Sequence, residues 1–340
     1  MSAQKGISGQ DLQIGFGCPP DVATSGREPA EGDQEMTLRK GMDSIRCSTA
    51  KLLIAAFAAF LMPSGPAPLV AEGFSVEKGI VYGKVDGFEL RLDLARPDNR
   101  QGPSPALVYI YGSGWGYWVE SRTQCLLHIT EAAQRGYVAA AIDYRQTRVK
   151  ERGKVKYPFP AQLYDAKCAI RWLRANASKY DIDANHIGVA GFSSGGHLAL
   201  LLGLTTPSDG LEGDCGDLKY STKVQAVVAS GAPTELVSMF NESVDEPGPV
   251  VQLLGGNPQQ KPSEYASASP LTYVRKDAAP TLLIHGDADI NVPVKQASLL
   301  DEIMTQVGVP HALLVRGNRP HDDFTRDPQV LDFFDKYLRE

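Results

Sequence analysis

A chain of 340 residues, 43% hydrophobic and 22% charged, is long for one globular domain and short for two full ones. Its formal net charge of −6 and the lack of any Lys/Arg cluster exclude the basic footprint of a nucleic-acid binder.

Residues 1–41 are polar and Gly-rich without a hydrophobic period, and are expected to be a disordered extension upstream of a true start at Met42. The one long uncharged apolar run, Leu52 to Met62, is shorter than the about 20 residues a membrane-spanning helix needs. Arg46 and Lys51 precede it, Pro63, Gly65 and Pro66 break it, and Leu69-Val70-Ala71 offers a cleavage site before Glu72. Read from Met42, residues 42–71 have the three parts of a secretory signal peptide. The expected mature chain is one domain, 72–340, secreted or periplasmic and without a stable membrane span. It keeps Cys125, Cys168 and Cys215, enough for one internal disulfide at most. Cys125 and Cys168 fall in helical patterns and read as buried thiols. No Cys/His spacing suggests a metal, and no cofactor is implied.

The folded part opens with two alternating arms, Val81–Val85 and Glu89–Leu94, around Asp86-Gly87, a tight hairpin. Ala106–Tyr111 is a nearly continuous apolar run, as in a strand buried on both faces. A helix is predicted over about Thr123–Arg135 with Gly136 as its cap, then a buried strand over Tyr137–Ile142. Pro160 opens a long helix to about Tyr180. Further strands are predicted at Asn185–Ala190, Val224–Ser230, Pro280–His285 and Ala312–Val315. Helices are predicted to Leu204, over Val294–Val307 and over Gln329–Leu338. Alternating strands and helices mean a mostly parallel central sheet covered on both faces. About Ala232–Val274 is too long for a plain connection and reads as a small cap insertion.

The chemistry centres on Gly191-Phe192-Ser193-Ser194-Gly195, a G-x-S-x-G pattern between a buried strand and an apolar helix. That turn projects Ser193 from the carboxyl end of the sheet as a nucleophile, which then needs a base, an orienting acid and an oxyanion hole. Of six histidines, His321 follows the last strand on its carboxyl side and is the expected base. His128, His186, His197, His285 and His311 read as structural. Asp287 and Asp289 both follow a strand; Asp289, deeper in its loop, is the favoured acid. The loop Tyr111-Gly112-Ser113-Gly114-Trp115 is expected to supply the N–H groups of Gly112 and Ser113, with that of Ser194, as oxyanion donors. Trp115, Tyr117 and Trp118 beside it are expected to contact substrate. A histidine base must be neutral, so activity is expected to fall as pH drops through about 6–7.

From Val81 onward these motifs resemble the α/β-hydrolase superfamily. The nearer likeness is to its esterase/lipase branch, with hormone-sensitive-lipase-like acetyl esterases and bacterial feruloyl-esterase-type domains. Tyr111–Trp115 stands where that branch has His-Gly-Gly-Gly-Trp, so Tyr111 replaces a histidine and Ser113 a glycine. The resemblance implies an α/β-hydrolase fold, a Ser193/Asp289/His321 triad and hydrolysis of small esters, such as acetyl or feruloyl groups on plant polysaccharide. The alternatives are a serine peptidase of the prolyl-oligopeptidase branch and a non-catalytic binding protein on the same fold.

Overall fold

Asp86 and Gly87 take φ of 51° and 77°, the backbone of the tight turn their sequence predicts. In the computed structural model, which describes residues 73–99, 101–149, 155–243 and 248–339, they join β1 (Phe74–Val85) to β2 (Phe88–Pro97). The expected extension 1–41 and leader 42–71 lie outside the described residues. The strands that follow are β3 (Ser104–Ile110), β4 (Val138–Ile142), β5 (Arg148–Val149), β6 (Val155–Lys156), β7 (Ile182–Phe192), β8 (Ala226–Ser230), β9 (Thr281–Gly286) and β10 (His311–Arg316). Eight of them form one sheet in the order β1-β2-β4-β3-β7-β8-β9-β10, and β5 pairs only with β6. The β1–β2 and β2–β4 pairs are antiparallel and every pair beyond them in that sheet is parallel. Strands β4, β8 and β9 are buried at every residue, as their unbroken apolar runs require.

The helices are α1 (Leu126–Gln134), α2 (Ala161–Ala175), α3 (Ala177–Tyr180), α4 (Ser194–Leu204), α5 (Leu236–Glu242), α6 (Gly248–Leu254), α7 (Pro262–Ala268), α8 (Lys295–Val307) and α9 (Pro328–Leu338). The long helix expected from Pro160 to Tyr180 is two. Asn176 leaves helical geometry at φ −105° and turns its side-chain amide back to the Trp172 carbonyl, an alternative to the backbone ladder that Asn favours. Helix α4 is apolar all round and runs through the core, with Leu198–Leu201 fully buried. The described residues of the segment 232–274 include the three short helices α5, α6 and α7.

One cysteine expectation is corrected. Cys168, on α2, is bonded to Cys215, while Cys125 is a buried free thiol. The partners are 47 residues apart in sequence, so no helical pattern reveals the pair. Room for it comes from Gly83 on β1, where an added Cβ would lie 2.7 Å from the Cys215 Sγ and 2.9 Å from the Cys168 Sγ. No helix among the described residues is long and apolar enough to cross a membrane.

Candidate active site

Strand β7 ends at Phe192 and α4 begins at Ser194, which leaves Ser193 alone on the turn at φ 55°, ψ −123°. A non-glycine residue in that region carries about 1–3 kcal/mol of strain, held here by the strand and helix on either side. The flanking glycines make the turn sterically possible. A Cβ at Gly191 would lie 2.2 Å from the Gly195 carbonyl oxygen, and one at Gly195 would lie 2.1 Å from that of Ile110. The helix start is thereby pressed against the end of β3, beside the Tyr111–Trp115 loop.

Three of the predicted residues meet in a hydrogen-bonded chain. The Ser193 hydroxyl lies 2.9 Å from His321 Nε2, and His321 Nδ1 lies 2.7 Å from Asp289 Oδ2. With the Nδ1–H donated to the carboxylate, Nε2 presents its lone pair to the serine. The His321 ring rests on Phe192, centroids 4.7 Å apart. Asp289 is anchored in turn: its Oδ1 accepts from the N–H groups of Asn291 (3.0 Å) and Val292 (2.8 Å). Burial by itself raises the Asp289 carboxyl, but hydrogen bonding from His285 and His321 outweighs it and holds the group down at about 2. His285 also donates to the Val292 carbonyl (2.8 Å), which orders the acid loop. Asp287, the second acid candidate, instead accepts from the Asn318 N–H at 2.6 Å and stands apart from His321.

The remaining histidines fall where structural roles put them. His128 bonds Asp323 (3.2 Å), exposed His186 bonds Asp183 (2.7 Å), and His311 at the amino end of β10 bonds the Val309 carbonyl (2.8 Å). His197 is fully buried between Trp115 and Ala268.

The expected oxyanion loop needs revision. The Ser113 N–H is donated to the Ser194 hydroxyl at 2.9 Å, and the Ser113 hydroxyl bonds Tyr144 at 2.8 Å. The backbone donor of Ser113 is therefore already engaged. Gly112 sits under the nucleophile, where a Cβ would lie 2.9 Å from both the Phe192 carbonyl oxygen and the Ser193 Cβ. Neither Gly112 nor Ser113 lines the cavity; Gly114 and Ser194 do. Ser194 opens α4, so its N–H has no intrahelical acceptor and carries the positive end of the helix dipole. Tyr111, in place of the branch's histidine, is buried and stacks on Tyr144 with centroids 4.8 Å apart.

A cavity of about 40 Å³ adjoins Ser193 and His321. Its other walls are Trp115 and Trp118, Pro233, Met239, Ser243, Pro249 and Val250 from the segment 232–274, and Asn291 and Val292 from the acid loop. Trp118 is the half-exposed rim. Trp115 is buried with its indole N–H given to His197, so it is a wall and not a stacking platform. Tyr117 lies edge-on against Trp118 and is not part of the lining. The sequence gives no local signal for Val250 or Pro249 as lining, because a whole intervening segment carries them to the site. Among the described residues no group of three or more His, Cys, Asp or Glu side chains is placed to hold a metal ion.

A model of the BD-FAE family matches residues 92–304. Esterase LipC of Mycobacterium tuberculosis is 30% identical over 271 residues, 74% of this chain and 64% of LipC. The chain spans less than two thirds of the length of this and two further mycobacterial relatives, LipM and LipQ, whose names also mark them as ester hydrolases. Among solved structures, a truncated carbohydrate esterase from gut microbiota superposes with a TM-score of 0.65 at 28% identity, covering 81% of this chain and 99% of that one. The propionate-bound esterase Est2 of Thermogutta terrifontis gives 0.59 at 28% identity, covering 79% and 92%.

Proposed function

The chain belongs to the BD-FAE family of α/β-hydrolases, and on that premise we propose that it is a serine carboxylic-ester hydrolase with Ser193, His321 and Asp289 as its triad. The observation that carries the proposal is the continuous hydrogen-bonded chain Ser193–His321–Asp289 opening on a cavity. His321 Nε2 takes the hydroxyl proton as Ser193 Oγ attacks the ester carbonyl carbon. Gly114 and Ser194 line the cavity, and we assign their N–H groups as the donors to the developing oxyanion. His321 then returns the proton to the leaving alkoxide, and a water molecule repeats the sequence on the acyl-enzyme. Asp289, held near 2, stays ionised throughout and stabilises the imidazolium.

The substrate we propose is a short-acyl ester, acetyl above all, with a carbohydrate as its alcohol. Met239, Pro249 and Val250 wall the cavity beside Ser193 with apolar side chains, which favours a short acyl chain. Trp118 at the rim offers an apolar face to a sugar, and the gut-microbiota carbohydrate esterase makes the same class reasonable. The segment 232–274 acts as the cap, since Met239, Pro249 and Val250 close the pocket. We also propose that the protein works outside the cytoplasm, because its Cys168–Cys215 disulfide belongs to oxidising compartments and residues 42–71 have the pattern of a leader.

The test compares p-nitrophenyl acetate, p-nitrophenyl butyrate and methyl ferulate on wild type, Ser193→Ala and Met239→Ala. Acetate turnover that Ser193→Ala abolishes is expected, with Met239→Ala shifting preference toward butyrate. Equal rates for wild type and Ser193→Ala overturn the nucleophile; methyl ferulate as the best substrate overturns the acyl assignment and restores the feruloyl reading.

A further inference from the structure

His197 lies one helical turn beyond the nucleophile; its own N–H donates to the Ser193 carbonyl at 3.0 Å. Its ring joins two segments distant in sequence. Nε2 lies 2.7 Å from the Ala268 carbonyl oxygen, at the end of α7, and so must carry the ring proton. That leaves Nδ1 as a bare acceptor, and the Trp115 indole N–H fills it at 3.0 Å. The two rings meet edge to face, centroids 5.1 Å apart. Trp115 itself holds a left-handed backbone, φ 57°, immediately after Gly114, and its carbonyl accepts from the Thr147 N–H at 2.8 Å. A left-handed tryptophan is retained only where its surroundings over-determine it, and the His197 bond is the part of those surroundings that comes from the nucleophile helix.

From this geometry we infer that His197 is a positioning residue for the reaction: by accepting the Trp115 indole N–H, it fixes the spacing between Gly114 on the loop and both Ser193 on the turn and Ser194 at the start of α4. The inference rests on the esterase reading above, because it concerns where the oxyanion donors stand. Burial drives the imidazole down to about 4, so the ring is neutral at working pH and the acceptor is present. The Ser113 N–H to Ser194 hydroxyl bond is a second tie between the same loop and helix, on the other side of Gly114. Loss of one tie thus loosens the loop without freeing it. A loop displaced by about 1 Å lowers the rate by roughly a hundredfold while leaving ground-state binding in the apolar cavity nearly intact.

Kinetics with p-nitrophenyl acetate on wild type, His197→Phe, His197→Asn, Trp115→Phe and the double variant His197→Phe/Trp115→Phe test this. The Asn amide oxygen takes the place of Nδ1 and restores the acceptor for Trp115, without the donor to Ala268. His197→Phe and Trp115→Phe are each expected to lose roughly a hundredfold in kcat with little change in KM. His197→Asn is expected to recover most of the rate, and the double variant to be no worse than either single one. A folded His197→Phe with wild-type kcat, or His197→Asn as impaired as His197→Phe, overturns the inference. Should His197→Phe fail to fold, His197→Asn and Trp115→Phe decide: Asn active and Trp115→Phe impaired supports it, the reverse refutes it. Wild-type turnover that Ser193→Ala leaves unchanged refutes the esterase reading instead, so the two failures are distinct.

Discussion

Acidification tests the buried His197 through stability, independently of activity. Its imidazole titrates near 6.5 in the unfolded chain and at about 4 in the folded protein, because burial penalises the charged ring. Below 6.5 the unfolded state therefore takes up a proton that the folded state refuses until about 4. The stability associated with the neutral ring is fully present above 6.5 and is lost as pH falls through the window down to 4. At 1.36 kcal/mol per unit, the depression amounts to roughly 3 kcal/mol, of which about 2 kcal/mol is lost between pH 7 and pH 4.5. Other groups titrate in the same window; Asp165, which burial pushes up to about 6 against the opposing pull of Arg145, works in the opposite direction. The useful quantity is therefore the difference between wild type and His197→Asn, in which those contributions cancel. Urea unfolding at both pH values is expected to show the wild-type advantage over His197→Asn shrinking by about 2 kcal/mol on acidification. Parallel pH curves for the two proteins refute the buried, neutral assignment.

Asp289→Asn, read with p-nitrophenyl acetate, is expected to lower kcat by about four orders of magnitude, because an amide in place of Oδ2 no longer holds His321 in the tautomer that presents Nε2 to Ser193; a loss below tenfold refutes the acid role. Cys168→Ser/Cys215→Ser opens a loop closed across 47 residues, which in the chain-entropy account removes about 4 kcal/mol of stability. Urea unfolding checks it, and an unchanged midpoint refutes a stabilising bridge.

Much of the architecture was legible because it rests on local signals. The apolar runs of β3, β4, β8 and β9 need only their own residues to declare burial on both faces, and Asp86-Gly87 declares its turn in the same way. The glycines around Ser193 mark a turn that no bulkier residue allows, and the chain order Ser193, Asp289, His321 puts each at the carboxyl end of a strand. Those few facts determine the fold class and the meeting of the three side chains.

The tertiary structure alone decided how that meeting is framed. The Ser113 N–H is taken by a hydroxyl 81 residues away, while Gly114 and Ser194 are the loop and helix residues that line the cavity. Trp115, by its position a natural platform for substrate, is turned inward by a histidine 82 residues on, and that histidine reaches a further 71 residues to Ala268. Cys168 finds Cys215 across 47 residues, in space that Gly83 leaves open. Each is a contact between groups whose own neighbours carry no trace of the partner. Local sequence sets which way a side chain leaves its strand or helix, but which polar group waits there depends on how the sheet and helices bring distant segments together.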